Sequence, residues 1–272
     1  MRRAWSLLPA GLFLIGLFVM PLAGTVGRSV IADGGGLSFA RYVTLATDGF
    51  YLRAILQTLA LSGGVTVLCI LVGYPVAYYL VRHGGRWRSV MLFALVGPLL
   101  TSIIMRTFGW QVLFARRGLV NLVLVDWLGI VPAPLRLTGS LALTVAALVH
   151  VLVPFMVLSI AAVLQGIDPR LEESAAILGA GRSRAFREIT LPLSMDGIGT
   201  GSILVFMVAN GSFVTLLLLG GGLQTLPLLI YQQFNTTRDF GMAGALSTVL
   251  LVIALACLWL QLRLVRARVA AR

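Results

Sequence analysis

The chain has 272 residues, 59% of them hydrophobic and only 11% charged, with a mean hydropathy of +0.99. A soluble domain carries about 45–50% apolar and about 25% charged residues, and a globule of this length has too little interior to hide the excess. This excludes a soluble enzyme, a disordered chain and a disulfide-rich secreted scaffold, and leaves a helical membrane protein.

Six long stretches are free of Asp, Glu and Arg, at 4–27, 54–81, 89–105, 137–167, 197–237 and 240–262. They predict six spans in one membrane domain, 1–272, at about 5–27, 55–81, 89–108, 139–164, 197–219 and 240–262. Arg2 and Arg3 lead the first run as in a signal peptide, but the run exceeds an h-region of about 7–15 residues, so an uncleaved helix is expected. The third is short and extends past Arg106. The segment 107–136 mixes Trp110, Phe114 and Leu119 with Arg116 and Arg117, which suits short amphipathic pieces at the interface. The longest run divides at Gly220-Gly221-Gly222, and Pro227 and Gln232-Gln233 make its second part a loop with a short apolar insert. Six spans put both termini on one side. That side holds the larger share of the arginines, which places it in the cytoplasm. All five Trp fall near span ends, as an aromatic belt requires.

All 21 basic residues are Arg. Without Lys there is no G-x-x-x-x-G-K-[ST] phosphate loop, so ATP, if it drives this protein, is bound by another chain. The net charge of +12 is spread between apolar runs rather than gathered on one face, which argues against a nucleic-acid partner. Cys69 and Cys257 sit in apolar runs as small core residues, and His83 and His150 are far apart in sequence. No catalytic residue, metal site or bound cofactor is therefore expected.

The segment 168–192, predicted on the cytoplasmic side, holds the densest charge in the chain. Asp168 suits an N-cap and Pro169 the first helical position. Leu171, Ala175 and Leu178 then share one face, and Gly179 and Gly181 stop the helix. Ser183 is placed to cap a second short helix that Pro192 ends. Glu172 and Glu188 are placed to pair with Arg182, Arg184 and Arg187, charges that also fit the positive-inside rule. Small residues, Ser174 to Ala176, permit close approach by a partner.

Glu173-Ser174-Ala175-x-x-x-Gly179, nine residues, then Ile189-x-Leu191-Pro192 resembles the cytoplasmic EAA loop of permease subunits in binding-protein-dependent ABC importers, with Ser174 where Ala is usual. The resemblance implies an all-α integral membrane fold of six helices in the MetI-like architecture of type I importers. It implies a coupling loop that docks in a groove of a cytoplasmic ATPase, made here of Glu172, Glu173, Ser174, Ala175, Gly179, Ala180, Arg182, Phe186, Ile189, Leu191 and Pro192. The implied partners are a pair of ATP-binding subunits, a second permease subunit, a periplasmic or extracellular substrate-binding protein and the lipid bilayer of a bacterial inner membrane. Gly73-Tyr-Pro-Val-Ala-Tyr78, Arg106-Thr-Phe-Gly-Trp110, His150-Val-Leu-Val-Pro-Phe155, Leu219-Gly-Gly-Gly222 and Leu229-Ile-Tyr-Gln-Gln-Phe234 are similar to the spermidine/putrescine branch of these permeases.

Path candidates are Arg106, Trp110, His150, Asn210 and Thr215. Arg106 has two readings, a path residue or a side chain snorkelling to the headgroups. His150 is either a packing histidine or a path residue. No Asp or Glu lies inside a predicted span, and Arg106 would sit poorly beside a cation. An anionic or zwitterionic solute, such as a phosphonate or an amino-acid derivative, therefore stays open beside polyamines. An ion-coupled secondary transporter would use intramembrane carboxylates, and their absence counts against it.

Overall fold

The computed structural model describes residues 11, 13, 15–31 and 35–270, with side chains except at 261 and 264–270. Arg2, Arg3, Trp5 and Arg272 lie outside the described residues, as do the side chains of Arg266 and Arg268. The described chain is helical: α1 (Ile15–Val30), α2 (Ala40–Thr47), α3 (Gly49–Arg82), α4 (Gly85–Leu100), α5 (Ile103–Leu113), α6 (Leu141–Gln165), α7 (Arg170–Ile177), α8 (Arg182–Asn210), α9 (Val214–Leu219), α10 (Leu226–Gln232) and α11 (Phe240–Ala270). Four of these are long and apolar enough to cross a membrane: α3, α6, α8 and the Phe240–Leu260 part of α11. A fifth span counts if α4 and α5 are taken together, and α1 is a shorter apolar helix.

Polar side chains start three of the four spanning helices, α3, α6 and α11. Asp48 Oδ1 accepts from the Phe50 N–H at 2.8 Å, Ser140 Oγ from Leu143 at 3.2 Å, and Asp239 Oδ1 from Met242 at 2.8 Å. Each takes up a donor that has no partner within its own helix, which matters most where no water replaces it.

The chain divides into two compact units, Met1–Thr58 with Gln224–Ala256, and Leu59–Leu223 with Cys257–Arg272. In the first, Leu45, Ala54, Leu226, Leu229, Ala245 and Leu246 form a buried core. Thr58 Oγ1 accepts from the Leu226 N–H at 2.9 Å and so holds the start of α10. Arg41 Nη1 donates to the carbonyls of Arg28 at 3.3 Å and Ile31 at 2.7 Å, covering the end of α1 with a cation.

The second unit is built on α6, whose buried Leu148, Leu152, Met156 and Ile160 pack with Val65, Cys69 and Leu80 of α3 and Val205 of α8. The backbone of α6 lies close to α8 at Gly197, where an added Cβ would lie 3.0 Å from Ile160 Cα and 3.0 Å from Ser159 O. Glycine is needed there for backbone approach, the device that packs helices where lipid is as apolar as leucine. Leu143, Ala147 and Leu219 form a smaller cluster with Trp110 and Phe114.

The structure corrects several expectations. The third predicted span is two helices bent by 100° at Thr101-Ser102, after a tight turn at Gly97–Leu100. Pro98 cannot donate a backbone hydrogen bond, which favours the break. Pro192 ends nothing. The helix runs on from Arg182 to Asn210, with a widened turn over Phe186–Thr190 just before the proline. Such a turn moves the preceding carbonyls away from the ring. Consequently Asp196 lies within α8, although it precedes the predicted span 197–219. That helix stops at Asn210-Gly211, and α9 is separate. Ser183 makes no cap hydrogen bond; the residue before the helix is Gly181. The expected loop over 220–237 contains α10 and a widened turn at Gln233–Thr237.

Within 107–136, short helical pieces at Leu119–Asn121 and Leu122–Trp127 are held by one side chain. Asn121 is 2% exposed. Its Nδ2 donates to Ala115 O at 3.1 Å and Leu135 O at 3.0 Å, and its Oδ1 accepts from the Leu135 N–H at 2.8 Å. Replacing it with alanine removes three part-buried bonds to the Ala115 and Leu135 backbone, at about 0.5–1.5 kcal/mol per bond. Asn121→Ala is expected to increase thiol labelling of a reporter cysteine placed at Leu135, compared with the same reporter beside native Asn121.

Candidate functional site

The segment 168–192 is a compact polar element of the second unit. Asp168 folds its side chain onto the following turn, Oδ1 accepting from the Arg170 N–H at 3.0 Å, while its carbonyl accepts from Leu171 at 3.2 Å. Helix α7 follows with Glu172 and Glu173 in its first turn, where negative charge opposes the helix dipole favourably. Its end is fixed by two crossed bonds, Gly179 N–H to Ala176 O at 3.0 Å and Ala180 N–H to Ala175 O at 2.9 Å. These form a Schellman cap, which requires a left-handed residue, and Gly179 has φ +86°.

The cap presents an apolar point. Ile177 is 86% exposed and Leu178 88% exposed. Glu173, Ser174 and Gly179 are exposed beside them. Two neighbouring bare aliphatic side chains at the tip of a charged element are what a partner surface would cover.

The adjacent acids face different ways. Glu173 is exposed, but Glu172 turns inward, its Oε1 3.1 Å from Arg82 Nη2 at the end of α3. Thr190 Oγ1 donates to Glu172 Oε1 at 2.8 Å and Tyr78 OH to Oε2 at 3.3 Å. Arg82 Nη1 donates to Ile167 O at 3.1 Å. The ion pair itself lacks hydrogen-bond alignment, and Arg82 Nε has no acceptor. The expected pairing of Glu172 with Arg182, Arg184 or Arg187 gives way to Arg82, which lies 90 positions earlier. Glu188 does pair locally, with Arg184 at 3.0 Å. That pair is exposed on both sides and contributes only about 0.3–0.5 kcal/mol, so it does not hold the loop.

Phe186 packs edge-on against Tyr74, with ring centroids 5.6 Å apart, and against Tyr78 at 5.5 Å. Ser194 donates to Leu191 O at 3.0 Å, so its oxygen is left to accept from Tyr74 OH at 2.8 Å. Ile189 and Leu191 are half-buried, and Pro192, Ala180 and Arg182 range from half-buried to exposed. An open cavity of about 790 Å³ lies between α7 and the α3 and α8 helices, with Glu173, Ala176 and Arg182 on its rim. Tyr74, Tyr78 and Arg82 recur every four residues on one face of α3. That spacing was the available signal for this network, and reading the run only as a span conceals it.

The path candidates fall in two groups. Arg106 and Trp110 lie one turn apart on α5, and Trp110 Nε1 donates to His150 Nδ1 on α6 at 3.4 Å. Trp110 also stacks on Phe114, with centroids 5.2 Å apart. Among the described residues, Arg106 Nε and Nη1 are buried without an acceptor. Asn210 and Thr215 are 2% and 0% exposed, so neither faces an open passage in this conformation. Asn210 Oδ1 and Thr215 Oγ1 also lack partners. No group of three or more His, Cys, Asp or Glu placed to hold a metal occurs among the described residues.

The family model for the binding-protein-dependent transport system inner membrane component matches residues 70–269, a stretch that includes the whole polar element. The chain is 33% identical over 247 residues to the spermidine/putrescine transport system permease protein PotB of Haemophilus influenzae, covering 89% of this chain and 86% of that one. It is 32% identical over 230 residues to PotB of Escherichia coli K12, covering 83% of each. Among solved structures, a bacterial ABC transporter involved in the import of the acidic polysaccharide alginate superposes with a TM-score of 0.78 over 96% of both chains at 22% identity, which shows the shared fold. On the family match and the identity to these relatives, the chain belongs to the inner membrane components of binding-protein-dependent transport systems.

Proposed function

We propose that this permease works in an ATP-driven importer of polyamines such as spermidine and putrescine. The observation that carries the mechanism is α7, a capped helix offering Ile177, Leu178 and Glu173 to a partner while Glu172 fastens it to its own chain. The partner is a pair of ATP-binding subunits that hydrolyse ATP, since this chain has no phosphate loop. A second permease chain completes the path, and a substrate-binding protein delivers the solute. The chain sits in a bacterial inner membrane as one domain with six spans, and both termini and α7 face the cytoplasm. The names of the PotB relatives support the polyamine assignment.

In this scheme the ATPases close on ATP and carry α7 with them. The helices tied to α7 then tip between inward-open and outward-open states, each favoured by a different partner. Trp110 and His150 are the aromatic candidates beside which a cation would pass, and Asn210 and Thr215 become path residues only when their packing opens. Arg106 favours a second reading, an anionic or zwitterionic solute, because its Nε and Nη1 are buried without an acceptor among the described residues.

The test is purification of the tagged chain with its neighbouring gene products, followed by reconstitution and uptake of labelled spermidine. Recovery of an ATPase and uptake that needs both ATP and the binding protein support the proposal. Uptake of an anionic solute instead of spermidine moves the assignment to the second reading, and absence of any bound ATPase removes the importer mechanism.

A further inference from the structure

We propose that Arg82 and Glu172 form a clamp through which α7 moves the membrane helices, a positioning role for Arg82 in transport. This inference rests on α7 being the helix that docks on the ATPase.

The geometry separates the two glutamates by task. Successive helix residues point about 100° apart. Glu173 is exposed on the partner side, whereas the Glu172 side chain is 23% exposed and meets an Arg82 side chain that is 9% exposed. Four segments converge on this pair. Arg82 ends α3, Glu172 belongs to α7, Thr190 opens the apolar part of α8, and the Ile167 carbonyl precedes the loop. The cavity of about 790 Å³ makes this convergence mechanical. It opens between α7 and α3, while α7 packs on the start of α8 at Arg182–Thr190. The carboxylate of Glu172 bridges the gap. Tyr74 then carries the link a turn further, to Ser194 of α8. A push on α7 therefore reaches α3 and α8 together.

A pair that served only the fold would change assembly and abundance. A clamp changes how much transport each ATP yields. The experiment reconstitutes the complete transporter with its binding protein in liposomes and measures labelled spermidine uptake and ATP hydrolysis side by side. The variants are Glu172→Gln, Arg82→Gln and the two together. Each single variant is expected to keep its ATPase through purification but to lower uptake per ATP by about tenfold, within the usual range of coupling between sites. The double variant is expected to be no worse than either single one, because both remove the same link. Arg82→Lys keeps the charge without the fork and is expected to fall between; it replaces Arg82→Gln should that chain fail to accumulate. An unchanged ratio in the single variants overturns the clamp. So do losses that multiply in the double variant. Failure of the unmodified chain to retain an ATPase instead overturns the docking assignment of α7, which separates the two claims.

Discussion

Gly179→Val is expected to reduce ATP-driven uptake by about five- to thirtyfold while the chain still reaches the membrane at its usual level. The left-handed backbone of Gly179, φ +86°, costs an L-residue about 1–2 kcal/mol, and that energy is worth a factor of about 5–30 in a two-state balance. Nothing lies within 4 Å of the position a Cβ would take, so the cost is conformational and not a clash. Relief comes by unwinding the last turn of α7, which breaks the crossed bonds of Gly179 and Ala180 and displaces Ile177 and Leu178. Gly179→Asn should retain more uptake, because asparagine visits this region more readily. Glu173→Ala removes an exposed charge without touching the cap and should lower uptake without lowering abundance. The comparison to make is uptake per immunodetected chain. Wild-type uptake by Gly179→Val would mean that the cap has no part in coupling.

Gly197→Leu is expected to strike the fold itself. Its Cβ would face Ile160 Cα and Ser159 O, each at 3.0 Å, and Val163 Cβ at 3.1 Å. Backbone atoms cannot rotate aside as a side-chain tip can, so α6 and α8 must separate. Overpacking costs about 1–3 kcal/mol, and the upper end applies when the obstacle is backbone. The expected result is several-fold lower accumulation and a clearly reduced melting temperature in detergent. Gly197→Ala, which adds only the Cβ, should show the smaller shift of the pair. Equal melting of Gly197→Leu and the unmodified chain would contradict the close approach.

Much of this architecture is written in where charge is missing. The sequence places a span at 139–164 and the helix runs over Leu141–Gln165; it places one at 55–81 within the helix Gly49–Arg82. Both readings depend only on local hydropathy, which the bilayer enforces. The cap at Gly179 is equally local and was legible. Three things were not. The bend at Thr101-Ser102 interrupts an apolar run free of charge, so a ruler of charged residues passes over the Gly97-Pro98 pair before it. Pro192 reads as a stop because the widened turn that accommodates it has no signature of its own. Arg82 and Glu172 are joined by folding across 90 positions, and no periodicity in a single sequence reports such a pair. The inward turn of Glu172 beside the outward Glu173 is set by the same long-range contact.

The bare tip of α7 also bears on how the subunits are made in proportion. Ile177 and Leu178, 86% and 88% exposed, are a solvation penalty until a partner covers them. On the proposed docking of α7 an assembled chain is shielded there, and an orphan chain is expected to be cleared faster by quality-control proteases. Permease abundance is then expected to follow the supply of its ATPase even when its own synthesis is constant.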